Sequence, residues 1–305
     1  MEKIFVAGHN GMVGSAICKK LEKNKEYQLI IASRSEVDLR DKKAVYTFIE
    51  KSKPDILIIA AARVGGIMSN MASPFDYLTD NLEIEINLIK AAFELGITKT
   101  LFLASSCIYP KISEQPIKEE YLLTGRLEPT NEGYAIAKIA GIKMLEYLYK
   151  QHNFKGLSLI PCNLYGPNDS FDAKNSHVLS ALVRKFSDAQ SNNTDYVEVW
   201  GTGNAKREFL HVNDLANAVA LILEKAEFIG DYINVGSNSD ISIKNLAEKI
   251  SELTNYKGEI IFDKEKPDGM MQKLIDSSKI NKLGFKPKIT LEEGIIEMIN
   301  IYKSK

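Results

Sequence analysis

A tyrosine and a lysine stand four residues apart at Tyr134 and Lys138, in a segment with a helical pattern. Side chains at that spacing share one face of a helix, so we expect the phenol and the ammonium to be neighbours. A nearby ammonium favours tyrosinate and lowers the tyrosine pKa, which suits Tyr134 to proton transfer at neutral pH. Ser105 ends an earlier apolar run, at the kind of strand end where ligands bind in open α/β sheets.

Three glycines near the start of the chain form a second chemical motif. Gly8, Gly11 and Gly14 have the spacing Gly-x-x-Gly-x-x-Gly, directly after the first apolar run and at the start of a segment with helical periodicity. Glycine permits a tight turn and lets the backbone approach a pyrophosphate, which the N-terminus of the following helix attracts. The pattern predicts a dinucleotide-binding turn.

The second strand of such a fold discriminates between the two nicotinamide dinucleotides. An acidic residue near its end commonly binds the ribose 2′-hydroxyl of NAD. Here Arg34 stands near that end, and its guanidinium can pair with a 2′-phosphate through two parallel hydrogen bonds. Glu36 and Asp38 follow closely, so an exposed surface arginine is the alternative interpretation. The sequence favours NADP(H).

In this order, the glycine turn, the serine at a strand end and Tyr-x-x-x-Lys resemble the extended short-chain dehydrogenase/reductase superfamily. Over essentially the whole chain the sequence is further similar to its GDP-L-fucose synthase subfamily. The segments that carry this similarity are residues 61–67, 105–110, 128–132, 134–141, 163–167 and 175–178. The resemblance implies NADPH-dependent reduction at C4 of a GDP-4-keto-6-deoxy sugar, with epimerisation at C3 and C5.

The same resemblance implies the catalytic roles. Ser105 and Tyr134 would hold the reacting carbonyl, and Lys138 would also contact the nicotinamide ribose. Cys107 and His177 match the family's epimerisation pair. A C4 ketone acidifies the protons at C3 and C5, so epimerisation needs a base on one face of the sugar and an acid on the other.

Binding residues follow from the matched motifs. Asn10 stands where the family often has arginine. Lys185 also stands at a position where arginine is common, and it keeps the positive charge without the bidentate geometry of arginine. Trp200 would pack against the nucleotide or sugar, with a core residue as the alternative. The predicted cofactor contacts are Gly8, Asn10, Gly11, Met12, Val13, Gly14, Arg34, Ala61 and Lys138. The predicted substrate contacts are Asn163, Lys185, Trp200, Arg207 and Lys273.

Alternating short apolar runs and helical segments must position these side chains. The apolar runs are residues 4–7, 29–32, 56–61 and 100–105. Uninterrupted apolar strands between helices predict a doubly wound parallel Rossmann sheet of class α/β. We expect residues 1–165 to form the NADP(H)-binding domain, with a return of the chain around 211–239. Residues 166–305 would mainly form a smaller α/β domain for the nucleotide sugar.

Composition excludes several classes of protein. The 305 residues carry 39 Lys+Arg against 40 Asp+Glu, a net charge of −1 that gives no general attraction for nucleic acid. The three cysteines have neither a disulfide pattern nor metal-ligand spacing, so no metal is expected. The longest apolar run, residues 56–62, is far below the roughly 20 residues that cross a bilayer. We therefore expect a soluble cytoplasmic protein without a membrane partner.

Two alternatives to this function stay open. Relatives of the subfamily act on GDP-4-keto-6-deoxy-heptoses in bacterial polysaccharide pathways, and some lack one of the two activities. A non-catalytic NADP(H)-binding regulatory protein is more remote, because such a protein would be free to lose Ser105, Tyr134 or Lys138. The resemblance also implies a homodimer that pairs through the helices around the Tyr-Lys segment.

Overall fold

The computed structural model describes residues 1–172 and 176–304. Asn175, which belongs to one of the matched motifs, lies outside the described residues. The strands are β1 (Glu2–Ala7), β2 (Tyr27–Ile30), β3 (Ile56–Ile59), β4 (Lys99–Leu103), β5 (Gly156–Pro161), β6 (Asn163–Tyr165), β7 (Tyr196–Trp200), β8 (Lys206–His211), β9 (Tyr232–Val235), β10 (Asp240–Ser242), β11 (Glu259–Asp263) and β12 (Gln272–Lys273). The α-helices are α1 (Met12–Leu21), α2 (Lys42–Ser52), α3 (Ile67–Ala72), α4 (Pro74–Glu94), α5 (Glu132–His152), α6 (Val178–Asn192), α7 (Val212–Lys225), α8 (Ile243–Thr254), α9 (Ser278–Lys282) and α10 (Leu291–Lys303).

Six parallel strands form the central sheet in the order β2-β1-β3-β4-β5-β9. The central strands are apolar on both faces, and all four residues of β3 are buried. Helices cover both faces, as the long crossovers between parallel strands require. The predicted doubly wound α/β fold is confirmed. Among the described helices, none has the length and hydropathy that a membrane crossing requires.

The helix α4 starts earlier than the sequence pattern suggests. We expect a helix near residues 81–95, but α4 begins at Pro74. Proline is favourable in the first turn of a helix because its missing N–H is not needed there. The seven added residues bring Tyr77 to the side of the sheet's carboxyl edge, where the site forms.

A buried polar cluster anchors the returning strand β9 to the loops at this edge. The Tyr109 hydroxyl donates to Asn234 Oδ1 at 2.7 Å, and Asn234 Nδ2 donates to the carbonyls of Ile117 and Asp276. Buried polar groups need such partners, because an unsatisfied one costs about 1–3 kcal/mol. The cluster therefore fixes the segment that follows β4, which carries Ser105 and Cys107.

A second apolar core lies outside the large sheet. It is formed by α6, α8 and α10 with the short strand pairs β7–β11 and β8–β10. Glu208 of β8 is buried and accepts hydrogen bonds from the backbone N–H groups of Ile275 and Asn238. Burial raises the pKa of Glu208 to about 7, although these hydrogen bonds favour its ionised form. Through Glu208 the strand β8 is tied to the segment that directly follows Lys273.

Candidate active site

The glycine turn packs tightly against the end of β3. Gly8 has φ +91°, and a Cβ built there would lie 2.6 Å from the backbone nitrogen of Ala61. A Cβ at Gly14 would fall on the carbonyl oxygen of Gly8. Both positions therefore require glycine because backbone occupies the space.

Gly11 is different, because its Cα faces open space. A Cβ there would meet only the Gly8 carbonyl oxygen, at an ordinary 3.5 Å. Gly11 is the N-cap of α1 and offers no side-chain cap to the first turn. The N–H groups of that turn are thus left for a ligand, and a helix N-terminus favours an anion. This open space and these free donors fit a pyrophosphate.

The predicted 2′-phosphate residue lies exposed beyond β2. Arg34 approaches Asp38 only to 3.8 Å, and its side chain is 75% exposed. Asp38 is held by Arg40 at 2.8 Å, and this partner lowers the pKa of Asp38 to about 2. Glu36 instead accepts hydrogen bonds from the backbone N–H and hydroxyl of Ser33. Arg34 is therefore accessible to a phosphate. Among the other predicted cofactor contacts, Asn10 is also exposed, and Met12 and Val13 pack partly against the core.

Tyr134 and Lys138 share one face of α5, as the spacing predicts. The Lys138 Nζ lies 5.7 Å from the centre of the Tyr134 ring and 4.6 Å from the centre of the Phe102 ring. It also lies 3.0 Å from Oε1 of Glu85, on α4. The Lys138 and Glu85 side chains are only 2% and 1% exposed, so this ion pair is shielded from solvent.

The predicted effect on the Tyr134 pKa is wrong. Burial raises the pKa of Tyr134 well above its usual value, and Cys107, Glu85 and Tyr77 act in the same direction. The sequence spacing reveals only Lys138, four residues away. The carboxylate of Glu85, on another helix, offsets the effect of that positive charge on the phenol. The phenol is therefore protonated at neutral pH, which makes Tyr134 a proton donor rather than a ready base.

Ser105 and Cys107 meet the site at the carboxyl end of β4. The chain makes a short 3₁₀ turn over Ser106–Ile108, and the Ser105 hydroxyl accepts a long hydrogen bond of 3.4 Å from the backbone N–H of Cys107. Cys107 is 5% exposed. Burial raises the pKa of its thiol, and the charge of Lys273 opposes that rise.

A single cleft of about 340 Å³ brings together residues from both parts of the chain. Lys138 lies behind Tyr134 and does not line the cleft. His177, which is exposed at the N-cap of α6, does line it. The predicted residues that line the cleft are Ser105, Cys107, Tyr134, Asn163, His177, Lys185, Trp200, Arg207 and Lys273. Apart from Lys138, the predicted catalytic and substrate residues thus share one cavity.

Arg207 and Lys273 supply positive charge within this cleft, on the paired strands β8 and β12. The Arg207 guanidinium donates to the carbonyl oxygens of Met270 and Asp268, at 2.5 and 2.8 Å, which fixes its plane. Burial lowers the pKa of both Arg207 and Lys273. Two partly desolvated cations on adjacent strands are suited to a diphosphate.

Trp200 lies at the cleft rather than in the core. It is 44% exposed, so the core alternative for it is wrong. The Lys185 Nζ lies 5.7 Å from the centre of the indole and donates to the carbonyl of Glu198 at 2.7 Å. Asn163 is fixed by a 2.7 Å hydrogen bond from its Nδ2 to the carbonyl of Glu208. These contacts orient an aromatic face and an amide towards the same cavity.

Sequence reasoning missed Glu85. A signal for it exists, because Asn81, Glu85 and Leu88 recur at helical spacing on the buried face of α4. A carboxylate on an otherwise buried face requires a partner. The cleft also has Arg184 in its lining, which no motif contains, and Glu128, which opens one of the matched segments but has no predicted role.

Comparisons with known proteins identify the family of this chain. A family model described as NAD dependent epimerase/dehydratase family matches residues 4–236. GDP-L-fucose synthase 1 of Arabidopsis thaliana is 48% identical over 98% of this chain and 93% of its own length.

Two solved structures from Campylobacter jejuni are also similar, each 33% identical. One is a GDP-6-OMe-4-keto-L-xylo-heptose reductase with a TM-score of 0.93, covering 99% of this chain and 98% of that one. The other is a GDP-D-glycero-L-gluco-heptose synthase in the presence of NADPH, with a TM-score of 0.89, covering 100% and 98%. The resemblance to the GDP-L-fucose synthase subfamily is confirmed, and the chain belongs to the NAD dependent epimerase/dehydratase family.

Proposed function

We propose that the protein is an NADPH-dependent reductase that acts at C4 of a GDP-4-keto-6-deoxy sugar and also has C3/C5 epimerase capacity. One observation carries this proposal: Ser105, Tyr134, Cys107 and His177 line the same cleft as the cations Arg207 and Lys273. A keto sugar at the first group and a diphosphate at the second would fill it. The relatives named for GDP-L-fucose and GDP-heptose chemistry support this substrate class.

The glycine turn is the proposed NADPH site. Its open face at Gly11, the free N–H groups at the start of α1 and the exposed Arg34 fit a pyrophosphate and a 2′-phosphate. Residues 1–165, with the return around 211–239, would hold the cofactor, and residues 166–305 would mainly hold the nucleotide sugar. When bound there, NADPH would supply the hydride for the C4 carbon.

In the reduction, Tyr134 gives its proton to the C4 oxygen. The raised pKa of Tyr134 keeps the phenol protonated until the oxygen gains negative charge. The Ser105 hydroxyl donates a hydrogen bond to the same oxygen and orients the carbonyl. Lys138 then stabilises the tyrosinate, since its ammonium lies 5.7 Å from the Tyr134 ring centre.

In the epimerisation, we assign Cys107 as the base and His177 as the acid. The C4 ketone stabilises the enolate that forms when a proton leaves C3 or C5. Because burial raises the pKa of Cys107, its thiol must first lose a proton, and the nearby charge of Lys273 favours that loss. His177 then returns a proton to the opposite face.

The alternative substrate is a GDP-4-keto-6-deoxy-heptose in bacterial polysaccharide synthesis, such as a capsule. The names of the two Campylobacter jejuni structures favour keeping it. A chain with only one of the two activities belongs to the same alternative. The non-catalytic regulatory protein is disfavoured, because Ser105, Tyr134 and Lys138 are all in place.

We further propose a homodimer in the cytoplasm. The helices α4 and α5 expose large apolar side chains at Ile86, Ile136 and Tyr147. Apolar surface on two adjacent helices suits a second copy of the chain. We expect sedimentation equilibrium to give the mass of two chains for the wild type and a lower mass for Ile136→Glu. A wild-type protein with the mass of one chain would contradict the dimer. Enrichment in a membrane fraction of cells would contradict the location.

The direct test of the function is NADPH oxidation with GDP-4-keto-6-deoxymannose and with the corresponding heptose substrate. We expect turnover and a C4-reduced product, followed by nicotinamide absorbance. Tyr134→Phe should lower kcat by about 10²–10⁴-fold, because the proton donor is lost. The matched control Tyr196→Phe, on the exposed face of β7, should keep wild-type activity. No oxidation with either substrate would refute the proposal.

The assignment of Cys107 is tested by deuterium uptake from D₂O at C3 and C5, without NADPH. Cys107→Ser should reduce the uptake by at least about 10²-fold, whereas Cys18→Ser in α1 should not change it. Because the thiolate is the base, wild-type uptake should rise about tenfold per pH unit while the thiol predominates. Undiminished uptake in Cys107→Ser rules out this role.

The cofactor site is tested by a pair of glycine variants. Gly11→Ala should lower the free energy of unfolding by no more than about 1 kcal/mol, the cost of alanine at an N-cap, because the added methyl meets open space. It should weaken NADPH binding about tenfold or more, since overpacking against a ligand costs about 1–3 kcal/mol. Gly14→Ala should destabilise the protein itself by at least about 1–3 kcal/mol. Wild-type NADPH affinity in Gly11→Ala would show that the pyrophosphate lies elsewhere.

A further inference from the structure

Glu85 is a buried carboxylate at the centre of the contact between α4 and α5. Its side chain is 1% exposed. Opposite it, α5 has Gly141, where an added Cβ would approach Glu85 Oε2 to 3.0 Å and would overlap the ring of Phe102. The missing side chain at Gly141 makes room for the carboxylate, so the two helices approach closely around it.

Lys138 is the cation that meets this carboxylate. Their 3.0 Å contact is the one ion pair that either side chain makes among the described residues. Neither carboxylate oxygen of Glu85 has a hydrogen-bond partner among the described residues, so the ion pair with Lys138 is its one polar contact there. A buried charge without a partner is strongly unfavourable, so each group depends on the other.

We propose that Glu85 is a positioning residue for the Tyr-Lys pair. Its carboxylate holds the Lys138 ammonium beside the Tyr134 ring and offsets the ammonium's charge there, so that Tyr134 remains a proton donor. The inference rests on the proposed reductase, in which Tyr134 donates to the C4 oxygen. It adds a residue to the site that lies behind the phenol and does not touch the substrate.

Electrostatics around the phenol support this role. A lone ammonium near a tyrosine lowers its pKa, but an ammonium and a carboxylate in contact act as a dipole, whose field weakens faster with distance. The charged and titratable groups that face Tyr134 are Lys138 on its own helix, Glu85 and Tyr77 on α4, and Cys107 after β4. Burial raises the pKa of Glu85 to about 7, so the carboxylate is ionised under the alkaline conditions in which a tyrosine titrates.

The test is the titration of Tyr134 in the cofactor-free protein, by NMR of tyrosine labelled with ¹³C at Cζ and assigned with Tyr134→Phe. Glu85→Gln should move the onset of Tyr134 ionisation to lower pH by about one unit or more. Glu83→Gln, on the exposed side of α4, should leave it where the wild-type protein has it. The proposal is overturned if the Tyr134 resonance behaves identically in Glu85→Gln and in the wild type. That outcome includes a Tyr134 that stays neutral throughout the titration in both proteins.

A kinetic measurement complements the spectrum. In Glu85→Gln the basic limb of kcat for the reduction should move to lower pH, while KM for the GDP sugar stays unchanged. If Glu85→Gln fails to fold, Glu85→Asp is the second variant. It keeps the negative charge but moves the carboxylate away from Lys138, so kcat should fall while the pH profile of kcat stays where it is in the wild type. Wild-type kcat in Glu85→Asp would then count against the proposal. If wild type turns over no GDP-keto sugar, the proposed function fails, yet the NMR titration still decides the effect of Glu85.

Discussion

The buried contact between Lys138 and Glu85 is the interaction on which the site depends. An ammonium that serves a catalytic tyrosine must be close to it, yet burial makes an unpaired ammonium costly. Glu85 resolves this conflict from a different helix, at 3.0 Å, and so links the packing of α4 and α5 to the chemistry. The ring of Phe102 from β4 closes the same pocket, which places the end of β4, with Ser105, beside the phenol.

A few individually placed charges also define the rest of the cleft. The chain has a net charge of −1, so its overall charge does not attract phosphorylated ligands. It places Arg207 and Lys273 on adjacent strands instead, where burial lowers the pKa of both and backbone carbonyls fix the guanidinium of Arg207. Partial desolvation strengthens the attraction of each cation for a diphosphate. In the proposed function, specific binding of small anions is thus separated from general attraction to polyanions.

Local patterns in the sequence predict much of this arrangement. The glycine spacing, the apolar strands and the shared face of Tyr134 and Lys138 depend on neighbouring residues, and periodicity reveals such features. The Tyr134 pKa depends on charges from other elements, so the sequence spacing suggests the wrong direction. The exposure of Trp200 and the meeting of Lys273 with Cys107 depend on how the second apolar core packs on the sheet. No local pattern contains that information.

In the proposed function, one cleft presents a GDP-bound keto sugar to Tyr134 as proton donor. The most direct measurement is a crystal structure of the protein with NADP⁺ and the GDP-sugar product. We expect the sugar O4 within hydrogen-bond distance of the Tyr134 and Ser105 hydroxyls, and the diphosphate against Arg207 and Lys273. A sugar ring bound away from Tyr134, or a diphosphate that contacts neither cation, would contradict it.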